Sequence, residues 1–326
     1  MTAVDPADAL EASDPRQDGG VRGAAARHPV GLVWIGVVLF SLGPVLVAGS
    51  GLSGPTFSFW RLWMGVVVLG MATVVHRRLT GATFTKVGVR WAIAAGVAFA
   101  AHQVAFMTAV KQTSVVDVTL MNTVAPIVVG LLAVPLFGER PGVRFRAWSA
   151  LAMVGAASVV IAGSAGPEGD PWGMALAALN VVFFAFYFVG TKLARPHIDT
   201  TPFLWAVIVT AAISVGVYVL ATGEAVTPVA GSDLVRCLAV AILPGALGHF
   251  SVTWSLRWVP ANVPPVIMLA IPAISGVLAW IVLAQAITWG QLAAGAVTLG
   301  GVLGAVRSPS ASAVSADESL PFAEES

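Results

Sequence analysis

The chain has 326 residues, of which 57% are hydrophobic and only 10% are charged, and its mean hydropathy is +0.88. Soluble domains usually have about 25% charged residues, so a chain this apolar is expected to have lipid as its solvent. The formal net charge of +1 gives no basic signal for nucleic acid, and the single cysteine, Cys237, excludes an intrachain disulfide and a cysteine-based metal cage.

The first 29 residues are polar and begin with acidic rather than basic side chains. A secretory signal peptide has a basic start and a small-residue cleavage site after its apolar run, and neither feature is present. The first apolar run is therefore predicted to be a membrane span. We expect residues 1–29 to form a disordered cytoplasmic tail, and the Ser/Ala/Glu-rich residues 307–326 to form a second one.

Ten segments are long and apolar enough to cross a bilayer, which takes roughly 20 residues of helix. They are too long and too continuously apolar for barrel strands, which alternate in polarity, so the predicted fold is an all-α membrane protein. The predicted spans are residues 30–49, 56–76, 89–109, 115–138, 145–163, 172–190, 202–221, 235–256, 263–283 and 288–306.

Lysines and arginines orient these spans, because they concentrate in cytoplasmic loops. With the N-terminus inside, most of the 17 basic residues fall on the inner side, whereas the acidic linker at residues 164–171 falls outside. An even number of spans returns the C-terminus to the inner side. We therefore predict a multi-pass protein of the cytoplasmic membrane with both termini in the cytoplasm.

The two halves of the chain match at an offset of 146 residues, which predicts two five-helix repeats over residues 30–163 and 172–306. Because five is odd, the second repeat enters the membrane from the opposite face, so the repeats have inverted topology. Many secondary carriers are built in this way, with the substrate near the midplane between the repeats. The matching pairs are Lys111 and Arg257, Pro126 and Pro272, Glu139 and Gln285, and Gly155 and Gly301.

Several short motifs in each half resemble the EamA-type branch of the drug/metabolite transporter superfamily. The pattern is a proline within a helix, followed by Gly-Glu near the helix end. The first half keeps the glutamate, and the second half has the amide Gln285 in its place. The motifs are Ala125-Pro126 and Leu136-Phe137-Gly138-Glu139-Arg140 in the first half, and Leu256-Arg257-Trp258-Val259-Pro260-Ala261, Ile271-Pro272 and Leu283-Ala284-Gln285-Ala286-Ile287-Thr288 in the second.

This resemblance implies a ten-helix bundle with a central cavity, and transport by alternating access without an ATP-driven domain. It also implies that the fifth and tenth spans hold the two halves together. Small residues at Ala152-xxx-Ala156 and Gly300-xxx-Gly304 fit that role, because they let two helices approach closely.

Two histidines lie at nearly equivalent positions of the repeats, His102 in span three and His249 in span eight. Ionisable groups inside a membrane are costly and tend to be functional. From the rise of a helix, their depths differ by about 8–10 Å, which suits two stations of one proton pathway. The alternative is that each ring only forms a hydrogen bond to a neighbouring helix.

Uncharged polar side chains supply further candidates for the wall of the substrate cavity. Asn180 and Tyr187 are two helical turns apart and share one face of span six, and Asn122 lies one turn before Pro126. The alternative is that these groups join helices through hydrogen bonds. The predicted cavity residues are His102, Gln103, Asn122, Asn180, Tyr187, His249 and Trp254.

Four charged residues near span ends are candidates for coupling or gating. Lys111 and Asp117 flank the short outer connection between spans three and four, either as an ion pair or as two solvated charges. Glu139 ends span four on the inner side beside Arg140, where it acts in gating or forms an interfacial ion pair. Arg61, near the outer start of span two, either snorkels outward or attracts an anionic substrate.

The sequence has no Walker A pattern, no Gly-x-Ser-x-Gly and no His-Glu-x-x-His, so neither an ATPase nor a common hydrolase or metalloprotease site is predicted. We expect a secondary transporter without enzymatic activity, cofactor or metal, acting as a monomer or weak dimer. It would export an amino acid-like, nucleoside-like or drug-like solute, with protons as the candidate coupling ion. The alternative is a lipid head-group flippase or an intramembrane enzyme.

Overall fold

The computed structural model describes residues 28–48, 50–112, 121–139, 141–162, 171–227, 229–283 and 287–308, and within these ranges the chain is helical and contains no strand. Most of the two predicted tails, as well as Asp117, Arg140 and Gln285, lie outside the described residues. The helices are α1 (Pro29–Ala48), α2 (Gly54–Thr80), α3 (Lys86–Gln112), α4 (Ala125–Phe137), α5 (Val143–Ala162), α6 (Pro171–Ala194), α7 (Thr200–Thr222), α8 (Gly231–Ser255), α9 (Val263–Met268 and then Ile271–Leu283) and α10 (Trp289–Val306).

Length and composition identify these helices as membrane spans. Seven of the described helices are long and apolar enough to cross a bilayer, namely α2, α3, α5, α6, α7, α8 and α10. The three remaining predicted spans correspond to the shorter apolar helices Pro29–Gly43, Ala125–Phe137 and Val263–Leu278. The outer surface exposes large apolar side chains such as Leu131 and Leu220, as expected for contact with lipid. The predicted all-α membrane fold with ten spans in two repeats is confirmed.

Helix pairing is the same when each helix is exchanged for the one five places along the chain. Helix α2 packs against α7, and α5 packs against α10. Helix α3 packs against α6, just as α8 packs against α1. Helix α4 also packs against α6, just as α9 packs against α1. The two repeats therefore contribute equivalent helices to equivalent contacts.

The closest approach of α5 and α10 shows this equivalence in two glycines. A Cβ atom added to Gly155 would lie 2.6 Å from the backbone nitrogen of Thr298, and one added to Gly301 would lie 2.5 Å from that of Ala152. In contrast, a Cβ atom added to Gly300 would have no atom of another described helix within 4 Å. Gly301, and not the predicted Gly300, therefore faces α5. The two glycines cannot both face α5, because neighbouring residues of a helix point about 100° apart.

A break interrupts the fourth and ninth spans at equivalent positions. Thr123 and Val124 form a turn just before α4, and Leu269 and Ala270 form a turn inside α9. Each turn lies just ahead of a proline in the first turn of the next helix. Proline lacks a backbone N–H, so it cannot donate the hydrogen bond that would continue a helix from the preceding residues. The predicted spans 115–138 and 263–283 therefore each contain a break at these turns, and the helix begins again beside each proline.

Helix α8 has a π-helical segment, Ala241–Gly248, which contains Pro244 and ends directly before His249. A π-helical segment widens the helix locally and is frequent at functional sites. Close packing against α1 fixes the end of this segment, because a Cβ atom added to Gly36 would lie 3.1 Å from the carbonyl oxygen of Gly248. The segment therefore determines where the His249 ring enters the bundle.

Candidate functional site

An aromatic cluster fills the centre of the bundle where α3, α6 and α8 meet. Phe99 is the middle residue of α3, and its ring centroid lies 4.9 Å from Tyr187, 5.2 Å from His249 and 5.9 Å from His102. The two histidines, one from each repeat, therefore contact the same phenylalanine ring. We call Phe99, His102, Tyr187 and His249 the central cluster.

Each histidine of the central cluster has a polar partner on α6. His102 Nδ1 lies 3.4 Å from the carbonyl oxygen of Asn180, and His249 Nδ1 lies 3.0 Å from the Tyr187 hydroxyl. Aromatic rings cover the remaining sides, with Phe184 at 5.5 Å from His102 and Phe40 at 4.9 Å from His249. The polar partners are placed by the two-turn spacing of Asn180 and Tyr187 on one face of α6.

A pair of amide side chains joins α6 to the break before α4. Asn180 Nδ2 donates a hydrogen bond to Asn122 Oδ1 at 2.8 Å. Asn180 is fully buried, and its Oδ1 has no hydrogen-bond partner in the part of the chain that the structure describes. Gln103 Oε1 is buried and, among the same residues, also has no partner. A buried acceptor without a donor costs about 1–3 kcal/mol, so both oxygens are available to a ligand that donates hydrogen bonds.

Arg61 is directed into the bundle and lies over the central cluster. Its side chain is only 7% exposed, and its guanidinium carbon lies 5.9 Å from the centroid of the Phe99 ring. Nε and Nη2 are buried and have no hydrogen-bond partner among the described residues. The structure thus places the guanidinium over an aromatic ring in the interior, rather than at the outer surface to which a snorkelling side chain would extend.

At the end of the bundle that the charge distribution predicts to be the inner one, Glu139 joins the two repeats. Its carboxylate pairs with Lys192 at the end of α6, and both of its oxygens accept hydrogen bonds from the backbone nitrogen of Ala261, at 2.9 and 2.8 Å. Lys192 also donates to the carbonyl oxygen of Val259 at 3.3 Å. The Glu139 side chain is 8% exposed and that of Lys192 is 15% exposed. We call Glu139, Lys192 and Ala261 the inner clamp.

The turn after α6 also buries a cation at the inner end. Arg195 Nη1 donates to the carbonyl oxygen of Ile198 at 2.6 Å. Burial and, to a lesser degree, the nearby positive charge of Arg257 lower the pKa of the Arg195 guanidinium to about 10, whereas Asp199 raises it. Arg195 therefore stays charged at neutral pH and adds to the positive charge at this end of the bundle.

One predicted site residue, Trp254, does not join these groups, and two others lie wholly or partly outside the described residues. Trp254 packs against Trp258 with their ring centroids 4.3 Å apart, and no ring contact joins it to the central cluster within the described residues. The side chain of Lys111 and the whole of Asp117 lie outside the described residues, so their predicted outer ion pair stays a prediction.

Sequence reasoning missed Phe99, Lys192 and Ala261. Phe99 lies three residues before His102, a spacing that places both side chains on one helix face. Lys192 was counted only as a positive charge of the inner side, although it lies in the last turn of α6. The signals were present, but phenylalanine is common in apolar helices and a terminal lysine is common in membrane proteins.

Among the described residues, no group of three or more His, Cys, Asp or Glu side chains is placed to hold a metal ion.

Comparison with known proteins gives a family model and a shared fold. The model described as the EamA-like transporter family matches residues 29–161 and again residues 171–307. A solved crystal structure that is 17% identical in sequence superposes with a TM-score of 0.72, covering 85% of this chain and 96% of that one. At this identity the likeness shows the fold alone. No curated protein matches this chain by sequence.

Proposed function

The chain belongs to the EamA-like transporter family of membrane proteins that carry small solutes, and we propose that it is a secondary transporter working by alternating access. The central cluster supports this proposal most strongly. Phe99 and His102 come from the first repeat, and Tyr187 and His249 come from the second. A solute bound there would contact both repeats, so movement of one repeat against the other would change the side to which the site opens.

The helix pairing supports an inverted arrangement of the repeats. Reciprocal contacts, equivalent breaks in α4 and α9, and reciprocal glycines in α5 and α10 all follow the same 146-residue offset. Five spans in each repeat then place the second repeat upside down relative to the first. Two repeats of this kind give two conformations of similar energy, one open to each side of the membrane.

The inner clamp supports a role for Glu139 in gating. It joins the end of α4 to the end of α6 and to the connection between α8 and α9. This network lies below the central cluster on the side with most of the described lysines and arginines. We infer that opening the site towards the inner side breaks these bonds, so the clamp would close the inner end whenever it is formed.

The distribution of charge supports a location in the cytoplasmic membrane with both termini inside. Basic residues concentrate in cytoplasmic loops. Most of the described lysines and arginines lie at the end of the bundle where α2, α4, α6, α8 and α10 finish. They are Arg77, Arg78, Lys86, Arg90, Arg144, Arg146, Lys192, Arg195, Arg257 and Arg307.

The two histidines support coupling to protons, with export of an amino acid-like, nucleoside-like or drug-like solute driven by inward proton movement. Histidine changes its charge near neutral pH, so a histidine in the site can bind a proton in one conformation and release it in another. His102 and His249 suit this role because both contact Phe99 and both have a polar partner on α6.

Flipping of lipid head groups is less well supported. A groove of about 450 Å³ between α2 and α7 and another of about 590 Å³ along α2 face the lipid. Neither groove has a lysine or arginine in its lining to bind a phosphate head group. The basic groups needed at depth are therefore missing from both grooves.

Flux in proteoliposomes tests the proposed function. Purified protein is reconstituted and supplied with a mixed panel of amino acids, nucleosides and aromatic drugs, with and without a pH gradient, and internal solutes are measured by mass spectrometry. We expect one chemical class to move faster than in protein-free vesicles, and an opposing proton gradient to drive its accumulation. No movement of any solute class under either condition would contradict the proposal.

A further inference from the structure

The guanidinium of Arg61 has no counter-charge in the part of the chain that the structure describes. Four carboxylates occur there, and each one is held by a group at an end of the bundle. The pairs are Glu139 with Lys192, Asp199 with His76, Asp233 with Arg236, and Glu224 with the Ser53 hydroxyl. A buried charge without a partner is strongly disfavoured in a membrane, so this guanidinium is a site for an external anion.

The free nitrogens of Arg61 have the geometry of a carboxylate site. Nε and Nη2 lie on the same edge of the guanidinium plane, and these are the two buried atoms without a partner. Two parallel N–H donors on one edge match the two oxygens of a carboxylate in a bidentate pair. The side chain that supplies them is 93% buried, since only 7% of it is exposed.

The surroundings of Arg61 limit the rest of the ligand. The guanidinium lies over the Phe99 ring, which packs against the rings of Tyr187 and His249. We call these three rings the aromatic floor, and they suit a ligand whose remaining part is apolar or aromatic. A phosphate dianion would bring a second negative charge, and among the described residues no other lysine or arginine contacts the floor. An amino acid zwitterion would bring an ammonium, which the neutral oxygens of Asn180 and Gln103 could bind but whose charge no described carboxylate is free to balance.

We propose that Arg61 binds the carboxylate of the transported solute, and that this solute is a small organic monoanion with an apolar or aromatic body. This inference deepens the transport function proposed above and rests on it. Arg61 is thereby a specificity-determining residue, and Phe99 is the ring on which the body of the solute packs.

Binding to the purified full-length protein in detergent tests the inference without any flux. The probes share one ring and differ in charge: benzoate as the monoanion, benzamide as its neutral analogue, benzylamine as a cation, phenylalanine as a zwitterion and phenyl phosphate as a dianion. At pH 7.5 we expect benzoate to raise the Tm in a concentration-dependent manner, with at least tenfold higher affinity than each other probe. Equal affinity for benzoate and benzamide would overturn the inference.

Substitution of Arg61 provides the second arm. We expect Arg61→Gln to lower the benzoate affinity at least tenfold. Arg61→Lys is expected to keep the charge but to lose part of the affinity, because an ammonium lacks the two parallel N–H donors of the guanidinium. Arg236→Gln is the matched control, since Arg236 pairs with Asp233 near the outer end of α8. Unchanged benzoate binding by a folded Arg61→Gln protein would overturn the inference, as would equal losses in Arg61→Gln and Arg236→Gln.

An internal counter-charge is tested by removing Asp117, the acid between α3 and α4. If Asp117 were the partner of Arg61, the double variant Arg61→Gln with Asp117→Asn would recover benzoate binding, and this result would overturn the inference. We expect the double variant to bind as weakly as Arg61→Gln alone. Selective benzoate binding without flux would contradict only the proposed transport function, whereas flux of neutral or cationic solutes that is insensitive to Arg61 would contradict only the inference.

Discussion

Both carboxylate oxygens of Glu139 accept hydrogen bonds from the backbone N–H of Ala261, a residue of the other repeat. Lys192 completes the inner clamp by neutralising the same carboxylate. A side chain at the end of α4 thus holds the backbone of the α8–α9 connection and the end of α6 at once. The clamp is buried, so its members depend on one another for both charge and hydrogen bonding.

The first prediction concerns the loss of one partner of this clamp. Glu139→Gln leaves the Lys192 ammonium buried without a counter-ion, and breaking a buried ion pair in this way costs about 3–5 kcal/mol. We expect a lower Tm in detergent and faster maleimide labelling of a cysteine placed at Thr191, a buried residue beside Lys192. Labelling is measured in a Cys237→Ser background.

The double variant Glu139→Gln with Lys192→Met is the control for charge. It removes both ions and leaves an apolar side chain, which is close to neutral for a buried pair. We expect its Tm to exceed that of Glu139→Gln alone. The Tm of Lys192→Met alone gives the reference. If Lys192→Met lowers the Tm as much in the Glu139→Gln background as in the wild-type background, the two residues do not act as a pair.

The second prediction concerns the crossing of α5 and α10. Gly155→Val or Gly301→Val would force side-chain atoms into the backbone of the opposite helix, and overpacking of this kind costs about 1–3 kcal/mol. We expect either variant to lower the Tm and to broaden the gel-filtration peak. Gly300→Val is the matched control, because its added Cβ atom would meet no other helix of the described structure within 4 Å. A Gly300→Val protein as unstable as Gly301→Val would contradict the crossing geometry.

The third prediction concerns the contact between Tyr187 and His249. Tyr187→Phe keeps the ring that packs on Phe99 but removes the hydroxyl 3.0 Å from His249 Nδ1. A single hydrogen bond contributes about 0.5–1.5 kcal/mol, so the variant is expected to fold normally. We expect its proton-driven flux in proteoliposomes to change its pH dependence, because His249 loses its hydrogen-bond partner on α6.

The pH profile of Tyr187→Phe is compared with the profiles of a control tyrosine variant and of two histidine variants. Tyr218→Phe changes the only other tyrosine of the chain and is expected to leave the profile unchanged. His102→Gln and His249→Gln are expected to remove the acceleration of flux by a proton gradient. Normal flux with an unchanged pH profile in both histidine variants would show that protons do not move through these rings.

Much of the fold was predictable because its signals are local. Runs of apolar residues predicted the ten spans, and a shared offset predicted the two repeats. Pro126 and Pro272 match at the same offset. Proline lacks a backbone N–H and so interrupts a helix, but only the structure locates Thr123 and Leu269 in the turns ahead of the two prolines.

The site was less predictable because its contacts are distant in the sequence. Glu139 and Lys192 are 53 residues apart, and no local pattern pairs them. Phe99 is one apolar residue in an apolar helix, so polarity does not distinguish it from residues that face lipid. A stripe of small residues indicates a helix contact, but the choice between Gly300 and Gly301 depends on the rotation of α10 about its axis.

In the proposed mechanism, the charge of Arg61, which has no counter-charge among the described residues, gives the transport cycle an electrical signature. An empty site carries this positive charge from one side of the transmembrane field to the other, and one charge crossing 100 mV changes the free energy by up to about 2.3 kcal/mol. A bound monoanion cancels the charge, so the loaded step is electrically silent. A negative interior thus draws the empty site inward, where it can load. We expect rapid addition of benzoate to protein reconstituted on a solid-supported membrane to give transient currents with the wild-type protein and no such currents with Arg61→Gln.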